Sequence, residues 1–232
     1  MNGKLVCLIQ ARVNSTRLPN KVLFDLAGKS MLERVVDRVF GASGYFDEFA
    51  VATGNISSND IIEDICNYNG WGCLRGSEDD VLARYYHIAK SLQAGSIIRV
   101  CADDPFLDPN LLVKTVVEFY NNKVDYAATE TLVLSFPIGL AIEVMTMNIL
   151  EEAYFNTAVG DREHVTPYIW RNKDKFKTLA ITNSKDLSHI RLTVDTMEDY
   201  KKARRLYCKF GNGYFTWEDI VRDIERNANG NN

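Results

Sequence analysis

Short apolar runs alternate with amphipathic stretches along most of the chain. Leu5-Val6-Cys7-Leu8-Ile9 reads as a buried strand, and Met31, Leu32, Val35, Val36, Val39 and Phe40 then share one helical face. The same alternation follows three more times. The strands are 48–53, 71–74 and 96–100, and the helical faces are Ile61/Ile62/Ile65/Cys66, Val81/Leu82/Tyr85/Tyr86/Ala89 and Leu112/Val113/Val116/Val117/Tyr120. Strands alternating with helices predict βαβ units and a mostly parallel sheet covered on both faces.

From Val124 to Val144 the pattern is less regular and carries the breaker Phe136-Pro137-Ile138-Gly139, which predicts short strands or a lobe beside the main sheet. Ile190–Val194 reads as a further strand. A helix with Met197, Tyr200, Ala203, Leu206, Tyr207 and Phe210 on one face follows, then a last one with Trp217, Ile220, Val221 and Ile224. The tail from Asn227 is expected to fray. With no repeat, low-complexity segment or Pro/Ser-rich linker, residues 1–232 read as one domain.

Composition narrows the partners. The 232 residues hold 27 Lys and Arg against 31 Asp and Glu, a formal charge of −4. That balance argues against a dedicated nucleic-acid binder, whose affinity comes from massed cations, but not against a nucleotide site. Cys7, Cys66, Cys73, Cys101 and Cys208 form no CxxC pair and no Cys/His metal spacing, as expected of reduced thiols in a cytoplasmic protein. The apolar runs are too short for a bilayer span or a secretory signal, so no membrane partner is expected.

Ligands of open α/β sheets bind at the carboxyl ends of the strands, and three segments there stand out. Gln10 to Lys21 concentrates Arg12, Arg17 and Lys21 around the hydroxyls of Ser15 and Thr16. Guanidinium groups bind phosphate through two donors and lysine adds a point charge, although a solvated loop has the same composition. Asp103-Asp104-Pro105 ends the strand at 96–100 and suits a hard divalent cation, or an Asx turn. Asp195 ends the 190–194 run, but Thr196-Met197-Glu198-Asp199 is a capping box, so this acid could merely precede a helix. The same grammar at Ser77-Glu78-Asp79-Asp80 and Thr216-Trp217-Glu218-Asp219 needs no chemistry. Ala27-Gly28-Lys29-Ser30 imitates the end of a phosphate-binding P-loop, but Leu23 occupies the position of its first glycine. Gly28 is expected in a turn and Ser30 at the helix N-cap. Together, the basic loop and the two acidic strand ends would bring cations and metal-binding carboxylates to one sheet edge, as a nucleoside triphosphate requires.

The motif Gln10-Ala-Arg-x-x-Ser-Thr-Arg-Leu-Pro-x-Lys21, then Leu26-Ala-Gly-Lys-x-Met-Leu-Glu-Arg34, is similar to the opening of the sugar cytidylyltransferases, which include the acylneuraminate and Kdo enzymes. The likeness is greatest to the SpsF-like branch of spore-coat polysaccharide synthesis. Arg75-Gly-Ser-Glu-Asp-Asp-Val-Leu-x-Arg84, Arg99-x-x-Ala-Asp-Asp-Pro105, Phe136-Pro-x-Gly139 with Glu143, Arg162-Glu-His-Val-Thr-Pro167 and Asp195-Thr continue it in order. The resemblance implies a single-domain, Rossmann-like, three-layer fold of GT-A type with a mostly parallel mixed sheet. It also implies a homodimer that transfers CMP from CTP with release of pyrophosphate. By that match Ala11, Arg12, Ser15, Arg17 and Lys21 hold the triphosphate, Arg75, Gly76 and Ser77 lie near the cytosine and ribose, and Asp103 and Asp195 hold Mg²⁺. Catalysis is then expected of Arg12, Lys21, Asp103 and Asp195. Phe136, Gly139, Glu143, Arg162, Glu163 and His164 are the candidates for gripping an acidic sugar or sugar phosphate, Arg162 through a carboxylate and His164 as a proton relay. His87 and His189 are read as structural.

Two rivals share the pattern. A GT-A glycosyltransferase would use a preformed nucleotide sugar, but such enzymes tend to carry a DxD-type metal motif, and here Pro105 follows Asp103-Asp104. A non-catalytic nucleotide-binding module has little need of Lys21, Asp103 and Asp195 together.

Overall fold

The structure, a computed structural model, describes residues 3–211 and 214–229. Its elements run in the order β1 (Lys4–Gln10), α1 (Met31–Phe40), β2 (Glu48–Gly54), α2 (Asp60–Asn69), β3 (Cys73–Gly76), α3 (Val81–Ser91), β4 (Ala94–Cys101), α4 (Pro109–Asn121). There follow β5 (Tyr126–Ala128), β6 (Glu143–Thr146), α5 (Met147–Asn156), α6 (Pro167–Arg171), β7 (Thr178–Ala180), α7 (Met197–Phe210) and α8 (Trp217–Asn229). The strands form one sheet in the order β3-β2-β1-β4-β6-β5-β7. Only β6 runs against the others, pairing antiparallel with both β4 and β5. The fold is therefore the expected mostly parallel, Rossmann-like one with helices on both faces.

Alternation along the strands decides what each face buries. Leu5, Cys7 and Ile9 of β1 and Ile98 and Val100 of β4 face one core, shared with α1, α2, α4, α7 and α8. Val6, Leu8, Ile97 and Met145 face the other, closed by Val81, Leu82 and Tyr85 of α3 and Ile149, Leu150 and Ala153 of α5. β1 and β4 are buried on both sides, which is why β1 reads as an unbroken apolar run and β4 as one interrupted by Arg99. Along the α3/α5 face the sheet changes character at its carboxyl edge, where Gln10, Arg99, Cys101 and Glu143 take over the inward positions.

Several local expectations are met. Ser30 and Glu33 form a reciprocal capping box on α1, Thr196 and Asp199 another on α7, and Thr216 and Asp219 bond in the same way before α8. Gly28 lies in a left-handed turn. At α3 the cap is Asp80, which accepts from Ala83 N, while Ser77 Oγ accepts from Asp80 N.

The run Ile190–Val194 is not a sheet strand. Ile190, Leu192 and Val194 are buried, but the backbone hydrogen-bonds to the loops at Ile138 and Asp103 and makes only an isolated bridge to Ile138. α8 continues through Asn229, and the remainder of the tail expected to fray, 230–232, lies outside the described residues. The five cysteines are free, and no helix among the described residues is long and apolar enough to cross a membrane.

Candidate active site

In the sheet order β2-β1-β4, the chain leaves β1 for one side and later returns to β4 on the other. The crevice beyond the carboxyl ends of β1 and β4 is thus a topological switch point, where parallel α/β sheets bind ligands. A cavity of about 400 Å³ opens there, within the range of small-molecule sites. One wall is the loop after β1, carrying Arg12, Ser15, Thr16, Arg17 and Lys21. The floor is Gln10, Arg99 and Cys101. Asp103, Asp195, Glu163 and His164 complete the rim.

The loop is fixed from below. Val13 N donates to the side chain of buried Asn59, whose amide in turn donates to Glu78 at 2.7 Å. Asn20 takes left-handed dihedrals and turns the chain into a short 3₁₀ segment that starts at Lys21. The Lys21 stem is thereby buried and its Nζ donates to Asp103 Oδ2 (2.6 Å), Asp195 Oδ1 (2.9 Å) and Val194 O (2.9 Å). Burial opposes the ammonium charge, but the charge and hydrogen bonds of Asp103 and Asp195 outweigh it and raise the Lys21 pKa. Burial likewise opposes the Asp195 carboxylate, while Lys21, Arg17 and Arg191 together hold its pKa below the usual value. Arg17 lies 2.9 Å from the same Asp195 oxygen that meets Lys21.

Asp195 reaches this junction because the extended 190–195 segment docks on the Pro137–Gly139 loop. Gly139 has φ +104°, and a Cβ there would lie 2.2 Å from Thr193 N. Only glycine admits that approach. Asp103 is tied from its other end, since its carbonyl accepts from Val194 N at 2.9 Å.

The donor set suits a hard cation. Asp103 and Asp195 each direct a carboxylate oxygen at the one Lys21 nitrogen, so the two acids converge on a cation. Asp104 and Cys101 lie beside Asp103, with ligand atoms of the three within 4.8 Å of one another. Burial pushes the Cys101 thiol up to about 12, where it stays protonated and is no ligand for a hard ion. Burial and the neighbouring Asp103 charge push the Asp104 carboxyl up as well. Asp103 and Asp195 are the residues of this donor set whose carboxylate oxygens also meet Lys21 and could hold a hard ion.

The structure draws the other sequence candidates apart. Glu163 and His164 sit on the cavity rim, with Glu163 accepting from Arg12 at 3.2 Å. Ala11 is buried and extends β1 through a bond to Ala52 O. Arg75 pairs with Asp60 and Glu63 and donates to Gly54 O and Ile56 O, outside the cavity. A Cβ on Gly76 would press on Arg84 of α3, and Ser77 serves the α3 cap. Phe136 packs edge-on against Trp217. Arg162 donates to Asp80, Thr157 O and Tyr154 O, and so anchors the segment that delivers Glu163 and His164. Glu143 is buried beneath the floor, where it accepts from Arg99, Tyr126 and Thr166. Asn59 was missed, having left no mark beyond a polar run, whereas Arg99 stood at the head of a matched motif and as a lone charge inside an apolar strand but was given no role.

The chain is similar to known proteins along most of its length. Residues 6–220 match the family model described as Cytidylyltransferase. The uncharacterized protein MJ1063 of Methanocaldococcus jannaschii is 38% identical over 201 residues, covering 85% of this chain and 81% of its own. The spore coat polysaccharide biosynthesis protein SpsF of Bacillus subtilis is 35% identical over 215 residues, covering 89% and 88%. A solved cytidylyltransferase from Leptospira borgpetersenii superposes with a TM-score of 0.92 at 30% identity, covering 98% of this chain and 96% of its own. A basic loop and paired acids lining a cavity at the switch point, with a family match across nearly the whole chain, lead to one conclusion: this protein belongs to the cytidylyltransferase family and is a nucleotidyltransferase.

Proposed function

We propose that this enzyme transfers CMP from CTP to an acidic sugar or sugar-phosphate-like acceptor, with release of pyrophosphate, in the synthesis of a surface glycan. The observation that carries the reading is the junction of Lys21 Nζ with Asp103 and Asp195 on the cavity that Arg12, Ser15 and Arg17 also line. Arg12 and Arg17 donate to the phosphate oxygens and hold the triphosphate for in-line attack by an acceptor oxygen on the α-phosphorus, while Lys21, whose three donors go to Asp103, Asp195 and Val194 O, adds positive charge beside it. Asp103 and Asp195 are the residues that would hold Mg²⁺, which supplies neutralisation of phosphate charge when bound. His164 stands at the rim, where it can move a proton to or from the acceptor. No protein nucleophile is needed. The resemblance that gives the acceptor class also gives the cytoplasmic homodimer and the single domain that complete this reading.

The test is pyrophosphate release by purified protein with Mg²⁺, each of the four nucleoside triphosphates, and a panel of nonulosonates, Kdo-type sugars and sugar or alditol phosphates. Release is expected with CTP and at least one acidic acceptor. Absence of release with every acceptor, together with no CTP binding, contradicts the proposal.

A further inference from the structure

The cavity floor carries a cation separate from those of the phosphate loop. Arg99 stands on β4 directly across from Glu143 of β6, and its guanidinium bonds Glu143 on one side and Gln10 Oε1 (3.2 Å) on the other. Those are two of its five N–H donors. Its Nε is buried without a partner, although buried donors are almost always satisfied. Glu143 is 3% exposed and lies behind the arginine, gripped by Tyr126, Thr131 and Thr166. The pair therefore turns its positive end toward the cavity.

Burying such a pair adds little stability over an apolar one of similar shape, so stability alone does not account for it. A guanidinium fork locked in place by a carboxylate is well suited to the paired oxygens of a carboxylate or a phosphate. Arg99 and Cys101 lie on one face of β4, two residues or roughly 7 Å apart, and both line the same cavity as Lys21, Asp103 and Asp195. Arg162, the other candidate for this role, already has all three of its guanidinium nitrogens bonded within its own segment and to α3.

We infer that Arg99 receives the anionic group of the acceptor, a carboxylate or a phosphate, and that Glu143 is its positioning residue. The assignment rests on the CMP-transfer reading and names the residue that selects the acceptor.

Calorimetry tests it on the full chain saturated with α,β-methylene-CTP. The probes are 3-deoxy-manno-octulosonate and N-acetylneuraminate with their methyl esters, and glycerol 3-phosphate with glycerol. At least one anionic probe is expected to bind, and the one that does distinguishes carboxylate from phosphate. Its Kd is expected to rise roughly thirty-fold in Arg99→Gln, less in Arg99→Lys, and measurably in Glu143→Gln. Affinity for the nucleotide is expected to stay within about two-fold in all three, and affinity for the neutral probes to stay unchanged. A purely structural role for the pair would not separate acceptor from nucleotide in this way. If Arg99→Gln does not fold, Arg99→Lys carries the same comparison. The inference is overturned if the arginine variants bind the anion as the parent does, if they weaken the nucleotide equally, or if no anionic probe binds a parent that binds nucleotide. A parent that binds no nucleotide overturns the CMP-transfer reading, and this assignment with it.

Discussion

Turnover of the Lys21→Met enzyme is expected to fall roughly 10²–10³-fold, the size of loss that follows removal of one preorganised electrostatic group beside a developing charge. The ammonium is the only protein group among the described residues that bonds both Asp103 and Asp195, and it also holds the Val194 carbonyl. Without it two carboxylates face each other across the cavity, and the 3₁₀ segment at Lys21–Leu23 loses its tie to the 190–195 segment. Breaking a fully buried pair costs about 3–5 kcal/mol. The Asp103 side chain is 31% exposed, so about 1–2 kcal/mol is a fairer expectation after screening, or a fall in Tm of about 3–6 °C for a chain of this size. Steady-state kinetics and a melting curve on the same sample separate the two effects. Lys21→Arg keeps the charge but replaces a point donor by a broad fork, and an intermediate rate is expected. Full activity in Lys21→Met would remove the central cation from the account.

Asp103→Asn is expected to cost roughly three orders of magnitude in turnover while leaving the fold intact. The backbone of residue 103, whose carbonyl accepts from Val194 N and from Thr193 Oγ1 at 3.3 Å, is untouched by the substitution, and an amide oxygen can still accept from Lys21 Nζ. Asparagine keeps that carbonyl and the side-chain shape and loses only the charge. Removing that charge also relieves buried Asp104, whose carboxyl the Asp103 charge helps to push up. The Mg²⁺ concentration giving half-maximal rate is expected to rise, and circular dichroism to match the parent. A melted Asp103→Asn protein would instead assign this acid to stability. Asp195→Asn is a less clean probe, because its carboxylate also holds Arg17 and Arg191.

Much of this was legible in the residues. β1 through α4 follow from buried runs alternating with amphipathic faces, and Lys21, Asp103 and Asp195 follow from their places just beyond those runs. The second half was harder to read for physical reasons. β5 and β7 have three residues each and β6 has four, too few to show a period. In α5 only Ile149, Leu150 and Ala153 are buried, a short apolar stripe. Ile190–Val194 shows that burial and alternation identify an extended segment without identifying its partner. Arg75 and Arg162 illustrate a further limit. A guanidinium that holds carbonyls and a neighbouring helix cannot be told by composition from one that holds a substrate.

The central claim is that the crevice between β1 and β4 moves CMP as a unit. It is tested most directly by following label from [α-³²P]CTP and, in parallel, [γ-³²P]CTP in the presence of an acceptor that supports pyrophosphate release. The α-label is expected on the acceptor and the γ-label in pyrophosphate, and Lys21→Met and Asp103→Asn are expected to reduce both together. Appearance of the γ-label on the acceptor, or of the α-label only as free CMP, would contradict the claim.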